Sequence, residues 1–467
     1  MQLYNYMVQR VNGNIQVHTT GCELCVYDAC KFASTLNPDE KAIVFNTCSF
    51  VEDREIENRM ISRLLRKAYP DHKMYIIGCD VNYHKDYFDG IADVLMTNEE
   101  VREIIESRDI KDVVVNENDI DPCIYIKVQD GCSHKCTFCI INQLRSHPYS
   151  VPYDTIVKDI KAQMKEKGCD KIALAGTELT TYYDKEKGYH LSDMIEHLIQ
   201  DVPGIKRIIM NAFDPQPVET EKMIRLVGKY PKIFIPHVIL AAQSGSDTIL
   251  KAMGRRHNVE RLRYLHKVAD ECGVTLGWDV IVGFPGETEE LFMETYNLMK
   301  ELHPFSQTLF QYSRRTGTPA ASMPNQVPEE VKAERLHRIY ALKYENAVKY
   351  SEAFKNYVAY TEEESTFNQS TYNKMKAIEY LLNEDGQEVY LDIFDEDAVV
   401  NFLKEPHDKT ILHINFDMNR FAESGIMVNF IKQMFKGLPF VVHVPKTFNE
   451  DISLFEKYYQ CIVKVDV

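Results

Sequence analysis

Strand-length apolar runs that alternate with helix-period segments are the feature that most narrows what this chain can become. From Pro122 to about Thr318 six such runs recur: CIYIKV, KIALAG, RIIMNAF, FIPHVILA, LGWDVIVG and SQTLFQYS. Strands separated by helices pair in parallel, because a parallel pair needs a crossover long enough to hold a helix. Six units are too few to close an eightfold barrel and too many for an open sheet of ordinary size. An open, partial (βα)6 barrel is therefore expected over residues 119–327. Barrels gather their chemistry at the C-terminal ends of the strands. The loop that leaves the first strand there, DGCSHKCTFCIINQLRSH, holds Cys132, Cys136 and Cys139 at C-x3-C-x2-C spacing.

Three thiolates so close together point to a metal. A [4Fe–4S] cluster takes four cysteines, so three leave one iron open to a small molecule. Structural zinc wants a fourth ligand, often from a second pair, and only His134 and His147 lie nearby, at spacings that form no such pair. Chance clustering is the remaining alternative.

The first segment, residues 1–118, alternates in the same way. NIQVHTT, KAIVFNT, KMYIIG and DVLMT are its strands, with helical periodicity clearest in EIENRMISRLLRKA. A flavodoxin-like parallel sheet is expected, whose ligand crevice lies beyond the carboxyl ends of the strands. Cys22, Cys48 and Cys79 each follow a strand, in HTTGC, FNTCS and IIGCD. Separations of 26 and 31 residues exclude a local knuckle, but strand ends of one sheet converge. A second three-thiol site competes here with the ordinary burial of cysteine as a small apolar residue. Cys25, Cys30, Cys123, Cys169, Cys272 and Cys461 show no such pattern and read as core or surface thiols, although Cys25 stands close to Cys22.

A polar stretch, NENDIDP, separates the first two segments, and the proline-rich TGTPAASMPNQVPEE ends the barrel. A charged helix follows over 328–358, then a small α/β domain over 359–467 whose runs include KAIEYLL, EVYLDIF, TILHINF, FVVHVP and CIVKVDV. No apolar run approaches the 18 or so residues needed to span a bilayer. The N-terminus lacks the pattern of a secretory signal. Twelve cysteines in a chain of 467 residues with this composition suggest metal or redox chemistry in the cytoplasm before a disulfide framework. The formal charge of −16 is not that of a protein built to track phosphates.

With these motifs in place, the chain resembles the radical S-adenosylmethionine methylthiotransferases. KVQDGCSHKCTFCII is similar to their cluster signature. HTTGC, NTCSF, IGC, LAGTELTTY, QSGSDTILKAMGRRH, WDVIVGFPGETEE and YSRRTGTPAASMPNQVPEEVK follow in family order from about Val17 to Arg338. The resemblance implies two [4Fe–4S] clusters and S-adenosylmethionine. Cys132, Cys136 and Cys139 would hold the cluster that cleaves S-adenosylmethionine. Cys22, Cys48 and Cys79 would hold an auxiliary cluster carrying the sulfur to be transferred. One S-adenosylmethionine would methylate that sulfur and a second would yield the radical that removes a substrate hydrogen. Phe138, Gly176, Thr177, Glu178, Gln243, Ser244 and Asp279 become candidate contacts to the cofactor. Arg255 and Arg256 are open between cofactor contact and a solvated basic face, and GFPGE reads as a turn.

The family's small C-terminal β-barrel is not legible here. Residues 351–467 instead carry 11 Lys and Arg against 20 Asp and Glu, a poor balance for phosphate contact. A polypeptide substrate, a ribosomal protein or a ribosomally made precursor peptide, is therefore the expectation. A modified adenosine in transfer RNA is the alternative, and a non-catalytic iron–sulfur sensor or scaffold a third. A monomer served by an electron donor such as flavodoxin or ferredoxin, with no membrane partner, completes the expectation.

Overall fold

The structure, a computed structural model, describes residues 7–11, 14–49, 52–107, 124–349, 387–404, 410–417, 440–445 and 462–465, with isolated positions between 424 and 434. Two compact units emerge. One is drawn from Pro122–Tyr357, and the other joins Leu3–Asp121 with Val358–Val467. No helix among the described residues is long and apolar enough to cross a membrane.

In the second unit the N-terminal segment forms a five-stranded sheet. Its parallel strands β2 (Ile15–Thr19), β3 (Ala42–Thr47), β4 (Lys73–Gly78) and β5 (Val94–Met96) lie side by side in sequence order. The apolar runs AIVFNT and MYIIG are buried along their whole length, as parallel strands covered on both faces require. Strand β1 (Met7–Val11), which sequence reading did not anticipate, pairs antiparallel with β2 at the edge. Its alternating MVQRV lacks the continuous apolar run that marks the others. Helices α1 (Glu23–Ala33), α2 (Glu52–Ala68), α3 (Cys79–Tyr83) and α4 (Asn98–Ser107) connect or follow these strands.

The barrel unit holds all six expected strands: β6 (Ile124–Lys127), β7 (Lys171–Ala175), β8 (Arg207–Met210), β9 (His237–Gln243), β10 (Thr275–Val282) and β11 (Ser306–Gln311). They run parallel in two triplets, β8-β7-β6 and β9-β10-β11, joined by a bridge between Phe213 and Leu240. Helices α5 (Tyr153–Lys167), α6 (Leu191–Asp201), α7 (Val218–Lys229), α8 (Val259–Cys272) and α9 (Glu289–Leu302) alternate with them. Helix α8 shows why such segments are helical. Asn258 caps its N-terminus by accepting from Arg261 N at 2.9 Å, Gly273 ends it at φ 67°, and Leu262, Leu265, Val268 and Ala269 form its buried stripe. Along β10, Trp278, Val280 and Val282 are buried while Asp279 and Ile281 on the opposite side are only half-buried.

Helix α10 (Glu329–Lys349) closes the unit against β11 and α9. Its Arg335 forms a buried ion pair with Glu287 of GFPGE at 2.9 Å, and Glu287 also accepts from Gly283 N at 2.7 Å. That carboxylate is committed to the turn.

The tail is an α/β element. Strands β12 (Gln387–Leu391), β13 (Thr410–Asn415), β14 (Phe440–Val444) and β15 (Ile462–Val465) form a parallel sheet in sequence order, with α11 (Glu396–Lys404) between the first two. KAIEYLL lies outside the described residues. Helix α11 packs against α2, where Lys67 reaches Glu396 at 2.7 Å and Asp397 at 3.4 Å.

Candidate functional site

The barrel thiols stand on a loop held from several sides. Asp130, at its start, accepts from Arg145 Nη1 at 2.7 and 2.8 Å and pairs with Lys127 Nζ at 3.1 Å. Burial alone would raise the Asp130 carboxyl, but these two cations pull it well below the usual carboxylate range. Gly131 follows at φ 75°, and a side chain there would meet Pro148 and the Arg145 carbonyl within 3 Å. Beyond it, Thr137 donates its amide to the Met253 carbonyl and its hydroxyl to that of Ala252, while its own carbonyl accepts from Ala320 N. Four separated segments thus fix the position of eight residues.

Cys132 and Cys139 are half-buried and Cys136 is buried. Burial pushes the Cys132 thiol up to about 11 and the Cys139 thiol up to about 12, with the neighbouring thiols adding to Cys139. Arg255 opposes both shifts and donates to Cys136 Sγ at 3.2 Å. A guanidinium aimed at a thiol suits a centre where thiolates must be held, and soft sulfur donors select iron–sulfur clusters or zinc. His134 is already engaged as a fourth zinc ligand would not be. Its Nδ1 lies 3.2 Å from Asp214 and its Nε2 2.6 Å from Arg256 Nη2. His147 is exposed. The donor set fits a three-cysteine iron–sulfur cluster.

A polar cluster faces these thiols from the strand ends. Glu178, after β7, accepts from both the amide and the hydroxyl of Thr180 and donates its own amide to Gln129 Oε1 at 2.8 Å. Burial raises its carboxyl, and the nearby Asp214 charge adds to the rise. Gly176 lets this loop approach, since a Cβ would crowd Leu179 at 2.6 Å and Gln129 at 3.2 Å. Thr177 accepts from Gly131 N at 3.1 Å. Asp214, after β8, was not singled out from sequence. It is buried and gathers Arg256 at 3.2 Å, Arg255 at 3.5 Å and His134. Burial pushes its carboxyl up, but Arg255, the Gln216 amide, His134 and Arg256 together lower it.

The other predicted contacts divide. Gln243 ends β9 at φ 66°, a left-handed backbone rare for a residue with a side chain, and such strain gathers where a site over-determines it. Ser244 turns away: its hydroxyl pairs with Thr295 of α9 at 3.0 Å and accepts from Ser246 N. Phe138 is half-buried against Ile249, Met253 and Phe284. Burial raises Asp279 to about 6, opposed by a hydrogen bond from Thr308.

In the N-terminal segment, Cys22, Cys48 and Cys79 stand around a fourth thiol, Cys25. Cys22 is exposed at the N-cap of α1, Cys25 is buried in its first turn, Cys48 follows β3, and Cys79 opens α3 after β4. The hydrogen bond between Cys25 and Cys22, burial, and the Cys79 and Cys48 thiols together push Cys25 well above its ordinary value. By sequence Cys25 stands with the unassigned thiols, marked only by its nearness to Cys22. Buried polar ties set this arrangement. Asn58 of α2 accepts from Thr20 Oγ1 at 2.6 Å and donates to the Cys48 carbonyl at 2.7 Å and Asp80 at 2.6 Å. Asn46 donates to the Cys25 carbonyl at 2.9 Å, and Asn98 to Cys79 Sγ at 3.3 Å. Soft sulfur donors fit an iron–sulfur cluster here as well.

Comparison with known proteins follows the same lines. The Radical SAM superfamily model matches residues 126–299. Threonylcarbamoyladenosine tRNA methylthiotransferase MtaB of Bacillus subtilis (strain 168) is 32% identical over 78% of this chain and 90% of its own length. Its namesake from Rickettsia prowazekii (strain Madrid E) is 31% identical over 70% of this chain and 82% of its own. A tRNA-2-methylthio-N(6)-dimethylallyladenosine synthase from Thiobacillus denitrificans (strain ATCC 25259 / T1) is 30% identical over 70% and 81%.

Proposed function

The chain belongs to the radical S-adenosylmethionine methylthiotransferases, and from that premise we propose that it methylthiolates an N6-modified adenosine of transfer RNA. As a member of that family it is an enzyme that uses S-adenosylmethionine and two [4Fe–4S] clusters. The observation that carries the substrate is the breadth of the likeness: 90% of the length of a relative named for threonylcarbamoyladenosine in tRNA aligns with this chain. This reverses the weight that the acidic tail suggested from sequence.

When bound, the clusters and S-adenosylmethionine supply one-electron chemistry and a transferable sulfur, which side chains alone do not offer. The residues hold and orient them. Cys132, Cys136 and Cys139 hold one cluster, with Arg255 donating to the Cys136 sulfur. The Glu178 carboxylate, oriented by Thr180, accepts from the cofactor's amino group, and Gly176 keeps the backbone near it. Thr177, Gln243 and Asp279 supply polar contacts around it, and Phe138 offers an apolar ring for the adenine. Ser244 shapes the loop through Thr295. Cys22, Cys48 and Cys79 hold the second cluster.

A polypeptide substrate is a second reading, supported by the parallel tail sheet and by the nine-charge acidic excess of residues 351–467. Mass spectrometry of tRNA nucleosides and of peptides, from cells with and without the gene, separates the two. A methylthio-adenosine derivative that vanishes with the gene is expected. An unchanged nucleoside profile beside a lost methylthio-peptide would replace the tRNA reading with the polypeptide one.

A further inference from the structure

Three thiols suffice for an iron–sulfur cluster with one open iron, yet the N-terminal segment brings four together. Cys25 is 2% exposed, and Cys22, its hydrogen-bond partner, is exposed. A side chain on Gly21 would fall on the Cys25 sulfur and within 3.5 Å of Cys48 Cβ, so the Cys25 thiol occupies the space under the turn between Cys22 and Cys48. Its backbone is pinned there by Asn46, two residues before Cys48. A buried thiol that merely filled core space would face apolar neighbours. Cys25 instead faces three other thiols, arriving from three different strand ends.

We propose that Cys25 is a fourth thiolate ligand of the N-terminal cluster, giving the resting centre one cysteine for each iron. This rests on the reading of these thiols as the second cluster site. Binding of sulfur then requires an exchange. The bond from iron to Cys25 breaks, a bond from iron to the incoming hydrosulfide forms, and Cys25 leaves as the thiol with the hydrosulfide's proton. No electron moves. Cys25 keeps the fourth iron covered between turnovers.

The test uses the full chain in a Cys132→Ala/Cys136→Ala/Cys139→Ala background, so that only the N-terminal cluster is read. Cys22 is exposed, and its removal leaves Cys25, Cys48 and Cys79. Cys22→Ala should keep about four irons per chain after anaerobic reconstitution, the content of one [4Fe–4S] cluster. Cys22→Ala/Cys25→Ala should keep fewer than about one. Electron paramagnetic resonance of the reduced cluster gives a second measure, with cyanide as the probe ligand. The background protein should give the same spectrum with and without cyanide, whereas Cys25→Ala, with its iron uncovered, should shift. Loss of iron in Cys22→Ala as complete as in the double variant overturns the proposal, as does a cyanide shift already present with Cys25 in place. Both measures report ligation whatever the substrate is, so failure of the tRNA reading leaves them standing.

Discussion

In the barrel, three thiols within eight residues ride on a single loop, and that loop is clamped by Lys127, Arg145, Ala252 and Ala320. In the N-terminal segment, four thiols arrive from three strand ends up to 57 residues apart in sequence, and buried amides on α2 and β3 tie them from within. The first construction makes the site depend on one loop's conformation. The second makes it depend on the register of a whole sheet. A local motif can be lost by one bad backbone angle, whereas a dispersed one fails with its sheet.

The sharpest break between the two regions comes from removing each set in turn. Cys132→Ala/Cys136→Ala/Cys139→Ala should abolish formation of 5′-deoxyadenosine while about four irons remain. Cys22→Ala/Cys48→Ala/Cys79→Ala should still form 5′-deoxyadenosine and yield no methylthio product. Chromatography of the nucleoside and an iron assay read both. Cleavage that survives the first variant, or methylthiolation that survives the second, would exchange the roles assigned to the two regions.

Asn58→Ala tests the dispersed site. It strips partners from Thr20, the Cys48 carbonyl and Asp80 at once. A loss of about 2–4 kcal/mol in urea unfolding is expected, since each buried polar group left unpaired costs about 1–3 kcal/mol. Iron should fall in the N-terminal site alone. Gly131→Ala tests the local one. Its positive φ and the crowding by Pro148 should cost about 1–3 kcal/mol, with iron lost only from the barrel.

The smallest effect separates cofactor chemistry from stability. Burial holds the Asp279 carboxyl at about 6 against an ordinary 3.8. The folded chain therefore binds this proton more tightly than the unfolded chain. The stability it contributes is complete below about pH 3.8 and is lost as pH rises to about 6, with no further change above. The ceiling is about 3 kcal/mol at roughly 1.4 kcal/mol per tenfold change in proton affinity, and partial exposure to water trims it to about 1 kcal/mol. Asp279→Asn should melt with the parent at pH 4 and a few degrees above it at pH 8. Equal melting points at both would mean that water already reaches the carboxylate freely.

What sequence revealed follows the same division. The barrel triplet was legible because its spacing is local, and the six barrel strands because each is a continuous apolar run. The tail's parallel sheet was legible from alternation alone, in EVYLDIF and TILHINF. Strand β1 was not, since MVQRV pairs at an edge and carries no such run. Asp214 and Asn58 had no spacing to betray them: each is a lone polar residue whose meaning comes from partners 42 and 38 positions away. Cys25 was visible only as a neighbour of Cys22, because the thiols that give it meaning are brought in by β3 and β4. The tail's charge is a weak guide to substrate for a related reason. Net charge on the tail is an average over residues, and recognition depends on where charges lie.

The contact of α2 with α11 has a consequence in time. Lys67 and Asp397, which meet there, are 330 residues apart. At roughly 5–20 residues per second, a ribosome makes the first about 20–60 s before the second. The barrel, continuous in sequence, is finished in between. The segment bearing four thiols must therefore wait, with one helix face uncovered, for α11 to be made.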